Sequence, residues 1–533
     1  MSMDLRTALT HPFTFPLRVR RFLNEGGGLA HVPDDMRAAI ATRAARFIDL
    51  VARHVYDRPR SPYRTLLSHA GCELADLRNL VSREGLETAL KKLASEGVYL
   101  TAAEIKGKEP VVRGQLSFRL DPDDLRLATA GFHSYSSGSS NRPQQGTSSF
   151  DWMARQTTAA GAFILAHRLE SHRHAAYEPI LPGVAGLMYM VMLARLGIPC
   201  QRWFARTIPF NSRLERAYCL VNAHEVAFVG THFGPGFATP ETVSDDRLDT
   251  IVNWIAASHT EGRRTCVRTV ASNAARIGRT AIRLGTSLEG VTFLSSGEPM
   301  TEAKRRVIEE AGGFTTVTYG FEPGSVWVAQ GCANRMHSDE MHVSLNTLAV
   351  IERPHPVMVG GQPIHPLLYT TLYESAGRLL INAENGDFAR LEDRDCGCEM
   401  QRLGLTLHIH HVRSYEKLTS EGLNYPIDDL TEIIELRLPA AFGGGPCDYQ
   451  LIEEEATNGQ SRLTLRVHPE VGPLDEARVL ARLMEELGRA GRAQRFMTGV
   501  WRNAETLSIE RKAPRASLRG KTLPVHFDIG RDS

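Results

Sequence analysis

The sequence predicts an α/β protein built from three parts. Residues 1–110 are expected to form a mainly helical N-terminal region, residues 111–412 a large α/β domain, and residues 413–533 a small α+β domain. Helical periodicity predicts the first part, alternation of strands with helices the second, and a strand pair followed by a helix the third. The chain of 533 residues is also longer than one ordinary domain of roughly 100–200 residues.

The N-terminal region opens with an amphipathic pattern over residues 33–57. Either Asp34 or Asp35 is available as its cap, and its apolar side chains recur at helical spacing (Ile40, Ala44, Phe47, Val51 and Val55). The segment "RPRSPYR" at 58–64 interrupts this pattern, and helical periodicity then continues to about residue 98. We therefore expect several consecutive helices.

Short β-branched runs alternate with amphipathic helices in the middle of the chain. Two of these runs are "GVTFLSS" at 290–296 and "FTTVTYG" at 314–320. Such alternation favours a mixed or parallel sheet that is covered by helices. The most apolar segment stays uncharged for only about 14 residues from Gly183, which is too short to cross a bilayer and predicts a buried helix.

The last 120 residues or so have a different pattern. Residues 448–468, "DYQLIEEEATNGQSRLTLRVH", are typical of two strands joined by a turn at Asn458-Gly459. An amphipathic helix follows over 474–491 and is closed by Gly491. These elements predict the small α+β domain.

Composition excludes several classes of function. A net charge of +1 argues against a nucleic-acid partner, because such proteins usually carry a clear basic excess. Eight cysteines are few for this length and fit a reducing cytoplasm better than a disulfide framework. The first residues, "MSMDLRTALTHPF", lack the apolar core of a signal peptide. We expect a cytoplasmic protein with neither nucleic acid nor membrane as partner.

The stretch "YSSGSSNRPQ" at 135–144 permits two interpretations. Its composition is that of a surface linker. The same serines and glycine before a proline are also typical of a loop that turns backbone N–H groups and hydroxyls toward phosphate, with Arg142 adding positive charge. It is not a P-loop, because GxxxxGK[ST] is absent.

Six motifs in order resemble those of the adenylate-forming superfamily of acyl- and aryl-CoA synthetases. They are "YSSGSSNRPQ", "SSGEPM" (295–300), "YGFEPG" (319–324), "NGDFARL" (385–391), "VRSYEKLTSEGLNYP" (412–426) and "APRASLRGKTLPVHFD" (513–528). Within that superfamily the chain is similar to the branch of phenylacetate–CoA ligases and acyl-protein synthetases. Three features carry this resemblance: the opening "DRPRSPYRTLLSHAGCELADLRNL" (57–80), "CGC" (396–398), and Cys332 with His342.

The resemblance implies a large multi-sheet adenylation domain with a helical extension and a small, mobile C-terminal domain. It implies a ligase that joins a carboxylic acid to ATP as an acyl adenylate, releases pyrophosphate, and passes the acyl group to CoA, a carrier protein or another nucleophile. ATP and Mg²⁺ would be bound, with CoA as a co-substrate. Tyr415 or Glu416 occupies the place of the usual hinge aspartate.

Individual positions take their roles from the same resemblance. Lys521, Glu322 and Arg413 would be catalytic, and the nucleotide would be held by Ser136, Ser137, Gly138, Ser139, Ser140, Arg142, Ser296, Gly297, Glu298, Pro299, Tyr319, Gly320, Asp387, Arg413 and Lys521. Asp387 suits the two ribose hydroxyls, and Lys521 suits the charge between carboxylate and α-phosphate. Outside this motif order, Asp387 is equally typical of a turn and Lys521 of a solvated surface.

Four soft ligands predict a structural zinc site. Cys332, His342, Cys396 and Cys398 form a set suited to tetrahedral zinc with no open position. The alternative is four unrelated, reduced side chains, and His337 is a rival for the histidine. In "HIHH" at 408–411 only His408 and His410 would share one face of a strand, so ordinary packing is the preferred interpretation there.

Two departures from the motifs keep a second hypothesis open. Asn141 replaces a usual glycine, and Glu322-Pro323 replaces the usual Thr-Glu pair, which displaces the glutamate linked to magnesium. Beside the ligase, the chain is therefore also compatible with a relative that binds a nucleotide or acyl adenylate with altered or lost catalysis. A homodimer also stays open.

The acid itself is not identified by the sequence. Residues 183–197 and 221–237 are candidates to line its pocket, the second range through four aromatic or imidazole side chains (His224, Phe228, His232 and Phe233). Packing explains these four equally well.

Overall fold

The computed structural model of the protein describes most of the chain. The described residues are 17–127, 132–135, 145–179, 185–206, 228, 231–232, 237–321, 326–359, 362–414, 427–455, 461–489, 507–517 and 519–528. The predicted turn at Asn458-Gly459 and the predicted helix end at Gly491 lie outside these residues.

The N-terminal region is helical, as predicted. Its helices are α1 (Val32–Ala41), α2 (Arg43–Val51), α3 (Pro62–His69), α4 (Leu74–Glu84), α5 (Leu86–Ser95) and α6 (Ala102–Ile105), with a π-helical turn at Ala52–Tyr56. The predicted cap is wrong: His31 precedes α1, and Asp34 and Asp35 lie inside its first turn. Their carboxylates still favour the helix there, since a helix N-terminus carries partial positive charge. The break at 58–64 is confirmed, because α3 begins at Pro62.

The strands that precede the C-terminal part follow one another along the chain from β1 to β18. They are β1 (Val111–Arg113), β2 (Leu116–Phe118), β3 (Phe132–Tyr135), β4 (Gln145–Ser148), β5 (Arg173–Tyr177), β6 (Cys200–Arg206), β7 (Pro240–Val243), β8 (Thr265–Val270), β9 (Val291–Ser296), β10 (Phe314–Phe321), β11 (Val326–Gly331), β12 (Met341–Val343), β13 (Leu348–Glu352), β14 (Val357–Val359), β15 (Gln362–Ile364), β16 (Pro366–Thr371), β17 (Ala383–Asp393) and β18 (Leu407–Ser414). β9 and β10 are the two strands predicted from the β-branched runs.

One large sheet dominates the middle of the molecule. Within the described residues its order is β13-β16-β17-β18-β12-β11-β10-β9-β8-β5-β6-β7. The half from β7 to β10 is parallel, and the half from β10 to β13 is antiparallel. This is the mixed sheet that the sequence predicts. The carboxyl ends of the parallel strands meet at one edge, where α/β proteins usually bind their ligands.

Helices cover this sheet. They are α7 (Phe150–Ala166), α8 (Ala185–Arg195), α9 (Asp249–Thr260), α10 (Ala271–Leu284), α11 (Glu302–Glu310) and α12 (Glu399–Arg402). The segment predicted as a buried helix is α8, and every residue from Gly186 to Ala194 is buried. Among the described helices, none is long and apolar enough to cross a membrane.

The C-terminal part is an α+β unit. It contains α13 (Ile427–Glu432), α14 (Leu438–Phe442), β19 (Tyr449–Glu455), β20 (Ser461–Val467), α15 (Glu476–Arg489), β21 (Leu507–Arg511) and β22 (Val525–Asp528), with a π-helical turn at Ile433–Arg437. The predicted strand pair is confirmed, since β19 and β20 pair antiparallel from Tyr449 opposite Val467 to Glu455 opposite Ser461.

Three clusters of buried apolar residues form the interior. One lies between the large sheet and its helices, one joins the N-terminal helices to β13 and β16, and one fills the C-terminal unit. Leu368, Ala349 and Ile351 belong to the second cluster, so the N-terminal helices share a core with the large sheet. The boundaries 110/111 and 412/413 stay predictions.

Candidate active site

Lys521 lies against the turn that follows β9. Gly297 in this turn has φ +83, a conformation that side-chain-bearing residues rarely adopt. A Cβ added to Gly297 would stand 2.8 Å from Cε and 3.3 Å from Nζ of Lys521. Glycine is therefore required for both the backbone angle and the approach of the lysine. The "SSGEP" motif and the predicted catalytic lysine meet at the edge where the parallel strands end.

The first turns of α10 hold the segment that carries Lys521. Arg276 donates from Nη1 to the Gly520 carbonyl (3.0 Å) and from Nη2 to the Thr522 hydroxyl. Asn273 donates to the Arg519 carbonyl at 3.1 Å. The Thr522 N–H donates to the Ser272 hydroxyl at 3.1 Å. These contacts bracket Lys521 on both sides and fix its backbone.

Arg519 attaches the same segment to the sheet. Its guanidinium binds Glu178, which directly follows β5, through Nε to Oε2 at 2.8 Å and Nη2 to Oε1. Nη2 also donates to the Ser296 hydroxyl at 3.1 Å. Glu178 is fully buried, so this two-point ion pair is formed away from water. Arg206, paired with Asp245, adds a hydrogen bond to the Ser517 carbonyl at 3.1 Å.

The carboxylate of Glu298 points into the protein interior. It accepts hydrogen bonds from the Ser272 N–H (2.7 Å) and the Ser272 hydroxyl (2.8 Å). Nζ of Lys304 lies 3.5 Å from Glu298 and 3.0 Å from Glu435 in the C-terminal unit, and all three side chains are buried. Burial opposes the charge on Lys304, but Glu435 and Glu298 outweigh it, so the pKa of Lys304 is raised.

Asp387 belongs to a second polar group. Its Oδ2 accepts from the Tyr319 hydroxyl at 2.5 Å and from the Asn385 amide at 2.9 Å. The Tyr319 hydroxyl also lies 2.9 Å from that of Tyr369. Burial, and then the charge of Asp387, raises the pKa of Tyr319 well above its usual value, so the phenol remains a donor. The predicted residues Tyr319 and Asp387 are thus brought together.

Arg413 lies on the face of the sheet opposite to that of Asp387. In the pairing of β17 with β18, Asp387 stands opposite Ser414 and Phe388 opposite Arg413. Since neighbouring residues of a strand point to opposite faces, Arg413 and Asp387 leave opposite faces of the sheet. Nη1 of Arg413 lies 3.3 Å from Asp339 and 2.9 Å from the Val412 carbonyl.

Several predicted residues lie outside the described part of the chain. They are Ser136, Ser137, Gly138, Ser139, Ser140, Asn141, Arg142, Glu322, Pro323, Tyr415, Glu416, His224 and Phe233. The strands β3 and β4 on either side of 136–144 are described, and Tyr135 pairs with Gln145. Tyr135 and Gln145, the described residues that flank that stretch, are therefore neighbours in one strand pair. Of the predicted pocket residues, Phe228 packs on His232 with ring centroids 4.0 Å apart, and Phe228 is 60% exposed.

The four predicted zinc ligands form one cluster. The ligand atoms of Cys332, His342, Cys396 and Cys398 all lie within 4.8 Å of one another. His342 Nε2 is 3.1 Å from Cys398 Sγ and 3.6 Å from Cys396 Sγ. His342 Nδ1 lies 2.6 Å from the Leu405 carbonyl, which can only accept. That contact places the ring proton on Nδ1 and leaves the Nε2 lone pair directed at the thiols, as zinc requires.

The pKa values of two thiols in this cluster are shifted in opposite directions. A hydrogen bond with the Cys332 thiol lowers the pKa of Cys398. Burial opposes this effect, and a hydrogen bond with His342 adds to it. The same Cys332–Cys398 contact, with burial, raises the pKa of Cys332. Three cysteine sulfurs and one imidazole nitrogen form a donor set of the kind that a soft divalent cation binds when the thiols lose their protons.

The "HIHH" segment differs from the expectation. His408 is buried, with Nδ1 2.7 Å from Glu340 and its ring centroid 4.1 Å from that of His342. His410 stacks on His337 at 4.2 Å. The expectation that only His408 and His410 share a face is incomplete, because His411 has φ +54, which turns its Nδ1 to 2.6 Å from that of His410. A left-handed residue breaks strand alternation.

Sequence reasoning missed the residues that hold the lysine segment. These are Glu178, Arg206, Ser272, Asn273, Arg276 and Arg519. One signal was available for Arg519, which precedes Lys521 by two residues in the same motif. The others come from β5, β6 and α10, and their proximity depends on the order of strands in the sheet.

Comparisons with known proteins agree on the fold. No protein-family model and no curated protein matches the sequence. Two solved structures of a 2-hydroxyisobutyryl-CoA ligase in the postadenylation state match most of the chain. The complex with R3-HIB-AMP is 15% identical with a TM-score of 0.51, and the complex with 2-HIB-AMP is 14% identical with a TM-score of 0.53. Each comparison covers 92% of this chain and 89% of the other. The chain therefore has the fold of these CoA ligase structures, with a large α/β domain followed by a C-terminal domain.

Proposed function

We propose that the protein is an ATP-dependent ligase that activates a carboxylic acid as an acyl adenylate. The observation that carries this proposal is the position of Lys521 on the Gly297 turn, held there by α10 and by the Arg519–Glu178 pair. A protein that only binds a nucleotide does not need a lysine presented on its C-terminal segment by so many contacts.

The reaction brings two anions together. An oxygen of the substrate carboxylate forms a bond to the α-phosphorus of ATP, and the bond from that phosphorus to pyrophosphate breaks. Lys521 would neutralise charge between carboxylate and α-phosphate, and a positioned cation in a site shielded from water is effective in this role. Ser136, Ser137, Ser139, Ser140 and Arg142 would hold the departing phosphates, and Gly138 would permit the turn. Mg²⁺ would be supplied with ATP, with Glu322 as the acidic candidate that the motif gives for it.

The nucleotide would lie along the same edge of the sheet. Asp387, held by Tyr319 and Asn385, suits the paired hydroxyls of a ribose because carboxylate oxygens accept from both. Ser296, Gly297 and Pro299 would lie against adenine, with Gly320 near it. Glu298 would act as a structural residue that anchors this turn to Ser272 and Lys304. Arg413, paired with Asp339, would act from the other face as part of the hinge.

Transfer of the acyl group would follow in the same protein. The acceptor would be a thiol, of CoA or of a carrier protein, and the C-terminal unit would move to admit it. Several contacts would have to break in that movement, among them Lys304–Glu435, Arg279–Asp448 and Arg519–Glu178. The membership of the phenylacetate–CoA ligase-like branch, a cytoplasmic location and a homodimer are further predictions from the sequence.

Pyrophosphate release over a panel of carboxylic acids tests the proposal. We expect ATP-dependent release with at least one acid. Nucleotide binding without turnover on any acid would instead support the second candidate, a nucleotide- or adenylate-binding relative, for which the displaced Glu322-Pro323 pair is the specific observation.

The variant Lys521→Ala tests the role of the lysine. We expect adenylate formation to fall by at least 100-fold, on the order of 3 kcal/mol, because a charge-assisted contact to the transition state is lost. ATP binding by calorimetry should change little. Lys512→Ala is a matched control, since the Lys512 side chain is exposed and pairs with Glu510. Equal activity of Lys521→Ala and the wild type would contradict the assignment.

We also propose that Cys332, His342, Cys396 and Cys398 bind one structural zinc ion. The donor set is soft, compact and closed, and His342 is oriented by Leu405. Metal analysis of the purified protein should give about one equivalent, and Cys398→Ser should lower both zinc content and thermal stability. Cys72→Ser is the matched control, because Cys72 lies outside the cluster. Less than half an equivalent of zinc in the wild-type protein would contradict this site.

A further inference from the structure

An apolar cleft lies between the large sheet and the helices α7 and α8. In this structure it encloses about 10 Å³, roughly the space of one water molecule, so a larger ligand requires its lining side chains to move apart. The cleft is lined by Ala160, Phe163, Ile164, Tyr189, Met192, Leu193, Leu294, Thr318, Trp327 and Gln330. Leu294 and Thr318 come from β9 and β10, two residues before Ser296 and one before Tyr319. The cleft therefore adjoins both parts of the candidate active site.

A β-bulge in β11 places the side chains of Trp327 and Gln330 in this cleft. Tyr319 pairs with Ala329, but Gly320 pairs with Trp327, so Val328 is an extra residue in β11. Without it, Trp327 and Gln330 would point to opposite faces of the sheet. The bulge turns both into the cleft, and bulges beside binding sites commonly redirect a side chain in this way.

Arg268 adds a buried charge beside the cleft. It stands opposite Leu294 in the pairing of β8 with β9, and so it points to the same face as that lining residue. Its guanidinium carbon lies 5.0 Å from the ring centroid of Trp327 and 5.5 Å from that of Tyr189. The side chain is only 3% exposed. Burial lowers the pKa of Arg268. A guanidinium is nevertheless not deprotonated in proteins, so Arg268 keeps its charge.

Arg268 forms no direct ion pair among the described residues, although the charge of Glu178 acts on it. Nη2 of Arg268 donates to the Ser296 hydroxyl at 3.3 Å, whereas Nε and Nη1 are buried without a hydrogen bond. Glu178, a neighbouring carboxylate, is bound at two points by Arg519. An unpaired buried charge costs several kcal/mol, so the fold retains Arg268 at a substantial free-energy cost.

Gln330 is also unsatisfied. Both its amide oxygen and its amide nitrogen are buried without a hydrogen-bond partner, although the residue lines the cleft. Buried amides in proteins nearly always have partners. A polar ligand that reaches the cleft would complete both side chains, Arg268 and Gln330.

We propose that the acid activated by this protein carries a second carboxylate, which Arg268 binds in the cleft with help from Gln330. The inference rests on the proposed function. The reacting carboxylate would lie beside Lys521, and a short apolar spacer would cross the region lined by Leu294, Tyr189 and Trp327. The substrate class is therefore a compact dicarboxylic acid, aliphatic or aromatic.

Matched pairs of acids test this inference by pyrophosphate release. Each pair contains a monocarboxylic acid and the analogue whose far end carries a second carboxylate, such as hexanoate with adipate and benzoate with isophthalate. For at least one pair we expect kcat/KM of the wild type to be 10-fold or more higher with the dicarboxylate. Arg268→Met should remove this preference, and Gln330→Leu should weaken it several-fold. Arg283→Met, at an exposed position of α10, should leave it unchanged.

Calorimetric titration of the same acids without ATP separates the two proposals. Dicarboxylate binding that Arg268→Met abolishes, without pyrophosphate release from any acid, would support this inference and contradict the proposed ligase. Pyrophosphate release that is as fast or faster with every monocarboxylate would contradict this inference and leave the ligase intact. Neither binding nor release would contradict both. The wild-type comparison decides the matter even if Arg268→Met fails to fold.

Discussion

Two histidines in the core of the large domain illustrate how a single buried residue sets the response of the protein to pH. His174 is fully buried, with Nε2 2.8 Å from the Leu169 carbonyl and Nδ1 2.8 Å from the Tyr189 hydroxyl. A neutral ring satisfies both contacts, donating from Nε2 and accepting at Nδ1. Burial lowers the pKa of His174 to about 4, and burial likewise lowers the pKa of His167 to about 4.

The free energy of unfolding should therefore decrease as pH falls from about 6.5 toward 4. Below 6.5 the unfolded chain binds a proton at each histidine while the folded protein does not, so each contributes a slope of roughly 1.4 kcal/mol per pH unit. Urea unfolding at several pH values measures this slope. His174→Gln should reduce this slope by roughly 1.4 kcal/mol per pH unit, whereas substitution of the exposed His69 should leave it unchanged. An unchanged slope in His174→Gln would contradict a neutral His174.

At the scale of elements, the N-terminal end of α10 acts as a holder for the lysine segment. Asn273, Arg276 and Ser272 contact positions 519, 520 and 522, on both sides of Lys521, through backbone or hydroxyl groups. Backbone contacts fix the path of a segment whatever its side chains, so α10 positions Lys521 without touching the reacting atoms.

Arg276→Ala should slow adenylate formation by about 10-fold to 100-fold, because hydrogen bonds from a charged group typically contribute about 1.5–3 kcal/mol. The KM for ATP should change much less, since the nucleotide residues remain in place. Arg283→Ala on the exposed face of the same helix is the control. Steady-state pyrophosphate release measures both constants. A rise in KM with an unchanged kcat would show that Arg276 acts on nucleotide binding instead.

The elements of the fold were predictable where one strong local pattern decides the outcome. β9 and β10, the buried helix α8 and the strand pair β19–β20 follow from β-branched runs, apolar length and alternation. Arg268 and Gln330 were not predictable as a pair, because their proximity depends on the order of β8, β9, β10 and β11 and on the extra residue Val328. The cluster of Cys332, His342, Cys396 and Cys398 was predictable as a set because the family resemblance marks these four positions and their donor chemistry suits zinc.

For the whole molecule, Lys304 joins the large domain to the C-terminal unit. Its ammonium lies between Glu298 of the large domain and Glu435 of the C-terminal unit, with all three side chains nearly inaccessible to water. A buried ion pair adds little net stability over apolar residues, but removing one member leaves the others uncompensated. The folded protein therefore depends on Lys304 because the two carboxylates are already buried around it.

Lys304→Met should lower the free energy of unfolding by about 3–5 kcal/mol, because two buried carboxylates lose their cation. Adding Glu435→Gln should restore part of this loss. Arg306→Ala is a suitable control: Arg306 pairs with Glu302 at an exposed position of α11, where an ion pair contributes little. Urea unfolding of the four proteins measures the differences. A loss in Lys304→Met no larger than that in Arg306→Ala would contradict this account.

The pairing of Arg519 with Glu178 has a consequence for product release. While Arg519 is docked, Glu178 is occupied and Arg268 offers its charge to the ligand. If the C-terminal segment withdraws after adenylation, Glu178 loses its arginine while remaining the carboxylate whose charge acts most strongly on Arg268. Glu178 would then compete with the second carboxylate of the bound acyl group for the charge of Arg268. Withdrawal of the lysine segment would in this way weaken the binding of the acyl group by Arg268 at the stage when the product has to leave.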